Sequence, residues 1–316
     1  KHGCEQTNML SFHCISASNG QLLVIIAVYI LVISGNAHEV DYCSYPCDYQ
    51  RIHVMCQYKN TTCFYEDFTG DIKLDQDVKQ TILKYHNNLR SRMAKGEIIE
   101  GNLSNMMSLI WDDELAVFAQ TWANQCLYEH DGCRNTDYAN VGQNIFLRTC
   151  FLDDLEKCID MESTFLMAFR YWEKEKFGYS LLTNKFEHGN SHFIQMIWPS
   201  TELIGCGYKV FKVNLHFAAL VVCNYSPGTE YNSKVSLRVG DPCTNCPTYT
   251  ECQDSTGLCS YVAEGELQQH LAKHIKKRIK ISPYHLELTN GCNKSNVAFT
   301  LMYCYFLVYG KSVFQL

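Results

Sequence analysis

Apolar residues recur at steps of three and four between Asp75 and Lys95, which is the spacing of one face of an α-helix. The positions concerned are Val78, Ile82, Tyr85, Leu89 and Met93. Gly96 follows where such a helix would end. The pattern therefore predicts an amphipathic helix, and His86 lies next to its buried stripe.

Similar patterns predict two more helices and a β-hairpin. One helix begins near Asp112, whose side chain can cap the exposed amides, and places apolar residues on one face. Those residues are Leu115, Phe118, Ala119, Trp122 and Cys126. A third helix is predicted from about Leu155 to Lys176. Residues 203–225 have strand-like composition on either side of Asn214, which is typical of a hairpin. Helices on both sides of strands predict an α+β architecture.

The start of the chain has the pattern of an export signal. Residues 22–33 are an apolar run too short to span a bilayer comfortably, and Gly35, Asn36 and Ala37 follow it. We expect residues 1–37 to be a signal peptide that starts at Met9 and is cleaved after Ala37. The net charge of -6 disfavours nucleic acid and anionic membranes as global partners.

The chain has 18 cysteines, and in an exported protein these favour disulfides over thiols. Four of them form a dense group near the end of the chain: Cys243, Cys246, Cys252 and Cys259. Such a set can bind zinc in a cytosolic protein, but two small disulfides are favoured here. Pro242 and Pro247 suggest that this module is held apart from the main domain, so we expect its cysteines to pair only among themselves.

Several short motifs together resemble the CAP superfamily, which comprises the cysteine-rich secretory, antigen 5 and pathogenesis-related 1 proteins. The main one is residues 192–198, His-Phe-Ile-Gln-Met-Ile-Trp, and the others are residues 86–90, 111–116, 142–145, 205–208 and 222–225. Residues 43–47 and 122–126 are most similar to insect antigen 5. The resemblance covers about residues 40–260, and it implies a disulfide-rich three-layer α–β–α sandwich.

The resemblance also implies disulfide pairs. By similarity to antigen 5, the expected pairs are Cys43–Cys56, Cys47–Cys133, Cys63–Cys126 and Cys206–Cys223. Cys150 and Cys158 are extra to that scheme, and we expect them to pair and close a local loop, with two independent buried thiols as the alternative. Asn60 and Asn102 lie in glycosylation sequons, whereas the sequon at Asn224 lies in an expected core strand and should stay bare.

The resemblance and composition together predict five segments. After the signal peptide come a cysteine-rich segment (38–74), the CAP domain (75–235), a hinge-like module (236–260), and a basic helix with an apolar tail (261–316). The basic stretch 273–280 is either a solvated helix end or a contact for a membrane surface or polyanion. Residues 297–309 are apolar but too short for a transmembrane anchor. A lipid-anchor signal at residues 290–292 is the alternative to an unrelated tail. We expect the segment after Ser260 to be dispensable for folding.

The cleft of many CAP proteins holds two histidines and two acidic residues. The matching positions here are His130, His192 and Glu175, with Gln143 where the family motif has glutamate. Two imidazoles and one carboxylate suit zinc or copper, and not calcium. In the alternative interpretation both histidines are simply hydrogen-bonded cleft residues.

The resemblance therefore predicts a secreted, monomeric, non-enzymatic antigen 5-like protein of saliva, venom or haemolymph, with allergenicity. It would bind a divalent cation, a sterol or fatty acid between helices, or an unknown extracellular protein. A hydrolase that uses the histidine and glutamate cleft is one alternative, although glutamine cannot act as a general base. An ion-channel-modulating toxin is the other, although residues 260–316 contain only two cysteines.

Overall fold

The computed structural model describes residues 40–45, 47, 50–67, 73–151, 160–177, 189–229, 237–262 and 270. A short 3-10 helix, Tyr42–Ser44, belongs to a separate N-terminal unit that ends at Ser44. The helices of the larger unit are α1 (Val54–Gln57), α2 (Gln76–Ala94), α3 (Asp113–Ala123), α4 (Met161–Lys174) and α5 (Ser191–Met196). Its strands are β1 (Glu66–Asp67), β2 (Ile110–Trp111), β3 (Gly142–Phe151), β4 (Leu203–Val213), β5 (His216–Ser226), β6 (Glu251–Gln253) and β7 (Leu258–Ser260).

Aspartates cap the three long helices. Asp75 Oδ1 accepts a hydrogen bond from the backbone N–H of Val78 at 2.8 Å and begins α2. Asp112 does the same for α3 through Leu115 at 2.7 Å, so both predicted helix starts are confirmed. The helix α4 begins at Met161, later than predicted, because Asp160 accepts from Ser163 N and acts as its N-cap.

The main sheet has five strands. Its order is β1–β4–β5–β3, with β2 paired parallel to β4 and the other pairs antiparallel. The hairpin predicted around Asn214 is confirmed as β4 and β5, and Asn214 adopts a positive φ of 55° in the turn between them. Cys206 faces Cys223 across this hairpin. All ten residues of β3 pair with β5, which brings Gly142 opposite Tyr225.

Alternating residues of β4 and β5 face two different helix layers. Ile204, Tyr208 and Val221 belong to a large core with residues of α2 and α4 such as Leu89 and Phe169. On the other face α3 packs against both strands. The predicted three-layer α–β–α sandwich is therefore confirmed.

Two glycines let the backbone of α3 approach β4 directly. A β-carbon added at Gly205 would collide with backbone atoms of Asp112 and Ala116, and one at Gly207 would collide with the backbone of Gln120. The Gln120 side chain then bridges the two elements, accepting from Tyr208 N and donating to Tyr208 O at 3.0 Å each. The distance between helix and strand is therefore set by main-chain contact.

One arginine on the inner face of α2 is fully buried. Arg90 donates hydrogen bonds to the carbonyl oxygens of Met107, Met196, Trp198, Pro199 and Thr201, at 2.7 to 3.2 Å. Burial lowers the pKa of its guanidinium to about 9. Because four of those carbonyls lie at the end of α5 and in the loop that follows it, Arg90 holds that loop against α2.

The cysteine-rich module packs against the main domain, so the expectation that its prolines hold it apart is wrong. Ser108 N donates to Cys259 O at 2.9 Å, Cys259 N donates to Met106 O at 2.8 Å, and Leu258 belongs to the large core. Contacts with the main domain continue past Ser260, since the hydroxyl of Tyr261 donates a hydrogen bond to Glu202.

Disulfides occur both in the main body of the protein and within the cysteine-rich module. The structure contains Cys47–Cys133, Cys63–Cys126 and Cys206–Cys223, which are pairs that the resemblance implied. Within the module it contains Cys243–Cys252 and Cys246–Cys259. Three sulfurs there lie within 4.8 Å of one another, but disulfide formation leaves them no thiolate with which to bind zinc. Cys43, Cys56 and Cys150 are also disulfide-bonded, and the predicted partners Cys56 for Cys43 and Cys158 for Cys150 stay predictions.

Several predicted features fall outside the described residues: the signal peptide, Cys158, the basic stretch 273–280 and the apolar tail. Among the residues that the structure describes, no helix is both long enough and apolar enough to cross a membrane.

At the two predicted glycosylation sites, Asn60 is exposed and Asn102 is half-buried, whereas Asn224 is fully buried.

Candidate functional site

His130 lies in the segment between α3 and β3, and its ring contacts the second residue of β3. The Nδ1 atom of His130 is 2.9 Å from Gln143 Oε1. The Gln143 Nε2 group donates to Asp131 Oδ2 at 3.0 Å and to Asn224 Oδ1 at 3.1 Å. A carboxylate only accepts hydrogen bonds, so the amide nitrogen must face Asp131 and the amide oxygen must face His130. Nδ1 of His130 therefore donates, and Nε2 carries the lone pair.

His192 is held in the matching way by Glu175, the residue that ends α4. Glu175 Oε1 lies 2.7 Å from His192 Nδ1, and Oε2 accepts from the backbone N–H groups of His192 at 2.9 Å and Phe193 at 3.2 Å. The carboxylate thus caps the first amides of α5 and fixes a proton on Nδ1 of His192. Nε2 of this ring is again the atom with the lone pair.

Neighbouring side chains orient the His192 ring and its backbone. The indole of Trp172 on α4 stacks on the imidazole with ring centroids 5.9 Å apart and planes at 14°. Asn144 on β3 donates to His192 O at 3.0 Å. The ring is therefore positioned jointly by β3, α4 and α5, while 29% of the His192 side chain remains exposed.

The two histidines lie close enough to influence each other electrically. Burial lowers the pKa of His130, and the charges of Arg134 and His192 lower it further, whereas the hydrogen bond to Gln143 and the charge of Asp131 raise it. The ring therefore stays neutral at a lower pH than an ordinary histidine would. Neither Nε2 atom makes a hydrogen bond to the part of the chain that the structure describes.

The structure uses the predicted residues in two pairs. Gln143 orients His130, and Glu175 orients His192, so that the carboxylate oxygens of Glu175 are already engaged by His192 and Phe193. Asn144 and Asn224 were not singled out as site residues, although both lie inside motifs that carried the family resemblance. Asp131 directly follows His130 and could have been considered for that reason.

Comparison with known proteins agrees with this architecture. The sequence model of the cysteine-rich secretory protein (CAP) family matches residues 83–225. Venom allergen 5 of Vespula maculifrons is 33% identical over 224 residues, which cover 67% of this chain and 94% of that protein. This chain belongs to the CAP family.

Other relatives place the chain within the family. A CRISP/Allergen/PR-1 protein of Trittame loki is 35% identical over 224 residues and 67% of this chain, although the chain spans only 53% of that protein. The solved structure of BmVAL-1 aligns over 62% of this chain and all of that chain, with 26% identity and a TM-score of 0.52. The residues that the family model matches, 83–225, include His130, Gln143, Glu175 and His192.

A second concave feature of the CAP domain is a groove of about 410 Å³ between α2 and α4. Its apolar lining comes from Tyr85, Leu89 and Leu166, and its charged lining includes Lys84 and Arg92. The other lining residues are Thr81, Asn88, Glu162 and Glu173. Tyr85 donates to Glu173 Oε2 at 2.7 Å, and burial with that carboxylate raises the Tyr85 pKa. The lining is thus mixed rather than apolar throughout.

Proposed function

We propose that this chain is a secreted CAP protein that acts by binding, and that its cleft holds a divalent cation between His130 and His192. The observation that supports this is the hydrogen bonding of the two rings. Each ring gives Nδ1 to a protein acceptor, Gln143 or Glu175, and each keeps its Nε2 lone pair. Neutral imidazole with a fixed tautomer is the form that binds transition metals.

Zinc or copper fits this donor set better than calcium does. Imidazole nitrogen is a borderline ligand that suits zinc and copper, whereas calcium takes six to eight oxygen ligands. Glu175 acts on His192 as the outer carboxylate of a carboxylate–histidine–metal arrangement, so we assign it an orienting role instead of the ligand role expected from the sequence. A metal held by two rings keeps positions for water or for a partner's ligand.

Metal binding by histidine variants tests this proposal. Replacing His130 or His192 by alanine should weaken zinc or copper affinity at least about tenfold in isothermal titration, since each removes one of two nitrogen ligands. His216→Ala is the matched control, because His216 is exposed and packs against Phe151 away from both pairs. Equal affinity in both cleft variants and the parent would refute the metal site.

A hydrolase is the second candidate, and the His192–Glu175 contact is the observation that favours it. A carboxylate on Nδ1 is how many hydrolases orient a catalytic base. Gln143 occupies the position of the second acid and cannot titrate. Gln143→Glu would place a carboxylate beside Asp131, where like charges raise the pKa of one of the two groups. We expect no turnover of peptide or ester substrates by either protein. Turnover by the parent that His192→Ala abolishes would establish the enzyme instead.

For the groove between α2 and α4 we propose a fatty acid in preference to a sterol. An acid headgroup can pair with Lys84 or Arg92, and a chain can lie on Leu89 and Leu166. Lys84→Gln should weaken binding of a fluorescent fatty acid severalfold, whereas Lys79→Gln should not, because Lys79 pairs with Asp113. Displacement by a sterol but not by a fatty acid would reverse the assignment.

Secretion is proposed from the apolar run at residues 22–33, the disulfides and the venom allergen relatives. Expression of the whole chain in a secretory cell should yield a protein in the medium whose first residue is His38. Retention of residues 1–37 on the secreted protein would show that they are not a signal peptide.

A further inference from the structure

A second group of donor atoms converges on Glu202, the residue just before β4. Tyr249 and Tyr261, from either side of the β6–β7 hairpin, both contact its carboxylate. His270 lies against the same carboxylate. Glu202 is 6% exposed, so the group lies inside the junction between the CAP domain and the cysteine-rich module.

The two tyrosine hydroxyls and the His270 ring all lie within 2.7 to 3.8 Å of the Glu202 carboxylate. Tyr249 donates to Glu202 Oε1 at 3.0 Å, and Tyr261 donates to Oε2 at 2.7 Å. His270 Nε2 lies 3.8 Å from Oε2. The rings of Tyr249 and His270 stack with centroids 3.9 Å apart, and those of Tyr249 and Tyr261 stack at 5.6 Å. Stacking therefore aligns the polar ends of three rings towards the same carboxylate.

Glu202 supplies negative charge beside the two tyrosines. Burial raises the pKa of both Tyr249 and Tyr261, and the negative charge of Glu202 raises each of them further. A cation at the same point would act in the opposite direction and lower both phenol pKa values. A cavity of about 380 Å³, lined in part by Glu202, Tyr249 and Ser200, adjoins the carboxylate and offers a path for an ion.

We propose that Glu202, Tyr249, Tyr261 and His270 form a binding site for a hard trivalent cation of the Fe³⁺ type. The site is separate from the histidine cleft and does not depend on the function proposed for it. Carboxylate and phenolate oxygens are hard ligands, and one carboxylate with two phenolates balances three positive charges. Binding replaces the two phenolic protons, which are released to solvent, and no electron is transferred.

The geometry agrees with this assignment. Neighbouring ligands of an octahedral ion with bonds of about 2 Å lie about 2.8 Å apart. The two tyrosine–carboxylate distances, 2.7 and 3.0 Å, are close to that edge length. His270 supplies a nitrogen donor, and the adjoining cavity has room for water or a small anion at the remaining positions.

Titration of the full chain with ferric nitrilotriacetate tests the proposal. Phenolate-to-iron charge transfer should produce a visible absorption band that saturates at one iron per chain. Tyr249→Phe, Tyr261→Phe and Glu202→Gln should each weaken iron binding at least about tenfold, with loss of the band in the double tyrosine variant. Tyr128→Phe is the matched control, since Tyr128 is 62% exposed and lies outside the group. The double variant His130→Ala with His192→Ala should keep the band.

Competition provides a measurement that needs no variant of the site. Colourless Ga³⁺ should displace iron and abolish the band in the parent protein, whereas Zn²⁺ should not. No band in the parent, or a full band in the double tyrosine variant, would show that the group is a hydrogen-bonded clamp and would overturn the proposal.

Discussion

Histidines in two regions of this protein are bonded in opposite ways. His86, on the buried face of α2, is inaccessible to solvent, and the protein uses both of its ring nitrogens: Nδ1 contacts Ile82 O and Nε2 contacts the Tyr225 hydroxyl, each at 2.9 Å. In the cleft, His130 and His192 each give only Nδ1 to a protein partner. A histidine with both nitrogens satisfied stabilises the fold, whereas one with a single oriented nitrogen can still bind a ligand.

His53 supports the same distinction. It is buried, its Nε2 contacts Asn135 O at 3.0 Å, and its Nδ1 accepts from Met55 N at 3.2 Å as the N-cap of α1. Burial lowers its pKa, as it does for His86 and His130. A lowered pKa therefore does not separate a structural histidine from a ligand histidine, but the number of occupied nitrogens does.

Removing the buried arginine should give the largest effect. Arg90→Met removes one hydrogen-bond donor from each of five carbonyl oxygens, of which those of Trp198 and Pro199 keep a backbone donor. We therefore expect a loss of at least about 4 kcal/mol in the free energy of unfolding. Arg92→Met on the same helix should cost less than about 1 kcal/mol, because Arg92 is 40% exposed and its ion pair with Glu173 is 3.6 Å long. Urea denaturation compares the two. Similar losses would mean that the buried network is not specific to Arg90.

The second-largest effect should come from His86, whose protonation makes the free energy of unfolding depend on pH. Burial lowers its pKa to about 4, while in the unfolded chain it returns to its ordinary value near 6.5. Between these values the unfolded state binds more protons, so stability falls as the pH falls from about 6.5 to about 4, by about 3 kcal/mol in total.

His86→Gln should remove that contribution while keeping a polar side chain in the core. The difference in unfolding free energy between parent and variant, measured at several pH values, isolates this term from other groups. His216→Gln is the control, since His216 is exposed. Parallel pH profiles for the parent and His86→Gln would contradict the assignment.

In the cleft, the carboxylate that orients His192 should matter for metal and little for folding. Glu175→Gln keeps an acceptor for Nδ1 but removes its charge, so we expect a loss of about 10- to 100-fold in zinc or copper affinity. Competition with a coloured metal chelator measures it. Glu173→Gln, two residues away and facing the groove, should leave metal affinity unchanged. Equal losses from both variants would show a general charge effect instead of orientation.

The smallest effect should be on the stability of the metal-free protein when a cleft histidine is removed. His192→Ala loses contacts of a ring that is 29% exposed, so it should cost no more than about 1 kcal/mol. His86→Ala should cost more than that, since it leaves Tyr225 and Ile82 with buried polar groups that have lost a partner. If His192→Ala were the more costly change, the distinction between the two regions would fail.

Local signals in the sequence were sufficient for the helices and the hairpin. Asp75 and Asp112 cap helices whose apolar faces repeat in the following residues, and Asn214 marks the turn of a hairpin whose strands are neighbours along the chain. The sequence predicts a helix from about Leu155, whereas α4 begins at Met161, where the side chain of Asp160 caps its first turn.

Long-range partners could not be predicted in the same way. The burial of Arg90 depends on carbonyls from residue 107 and residues 196–201, which are distant in the chain. The orienting contact of Glu175 with His192 requires α4 and α5 to meet. The two prolines of the cysteine-rich module suggested a separate unit, but the burial of Leu258 in the main core decides its placement.

The contact of α3 with Gly205 has a consequence for the cleft. Gly205 pairs with Asn224 on β5, and Asn224 donates to Leu115 O on α3 while accepting from Gln143, the partner of His130. Because α3 and β4 meet here through backbone atoms, no side chain can change rotamer to alter the distance between them. The position of His130 relative to the sheet therefore depends on the contact between α3 and β4, which lies on the same face of the sheet as Gln143. Any residue larger than glycine at position 205 would have to displace α3, and it would reshape the cleft without touching it.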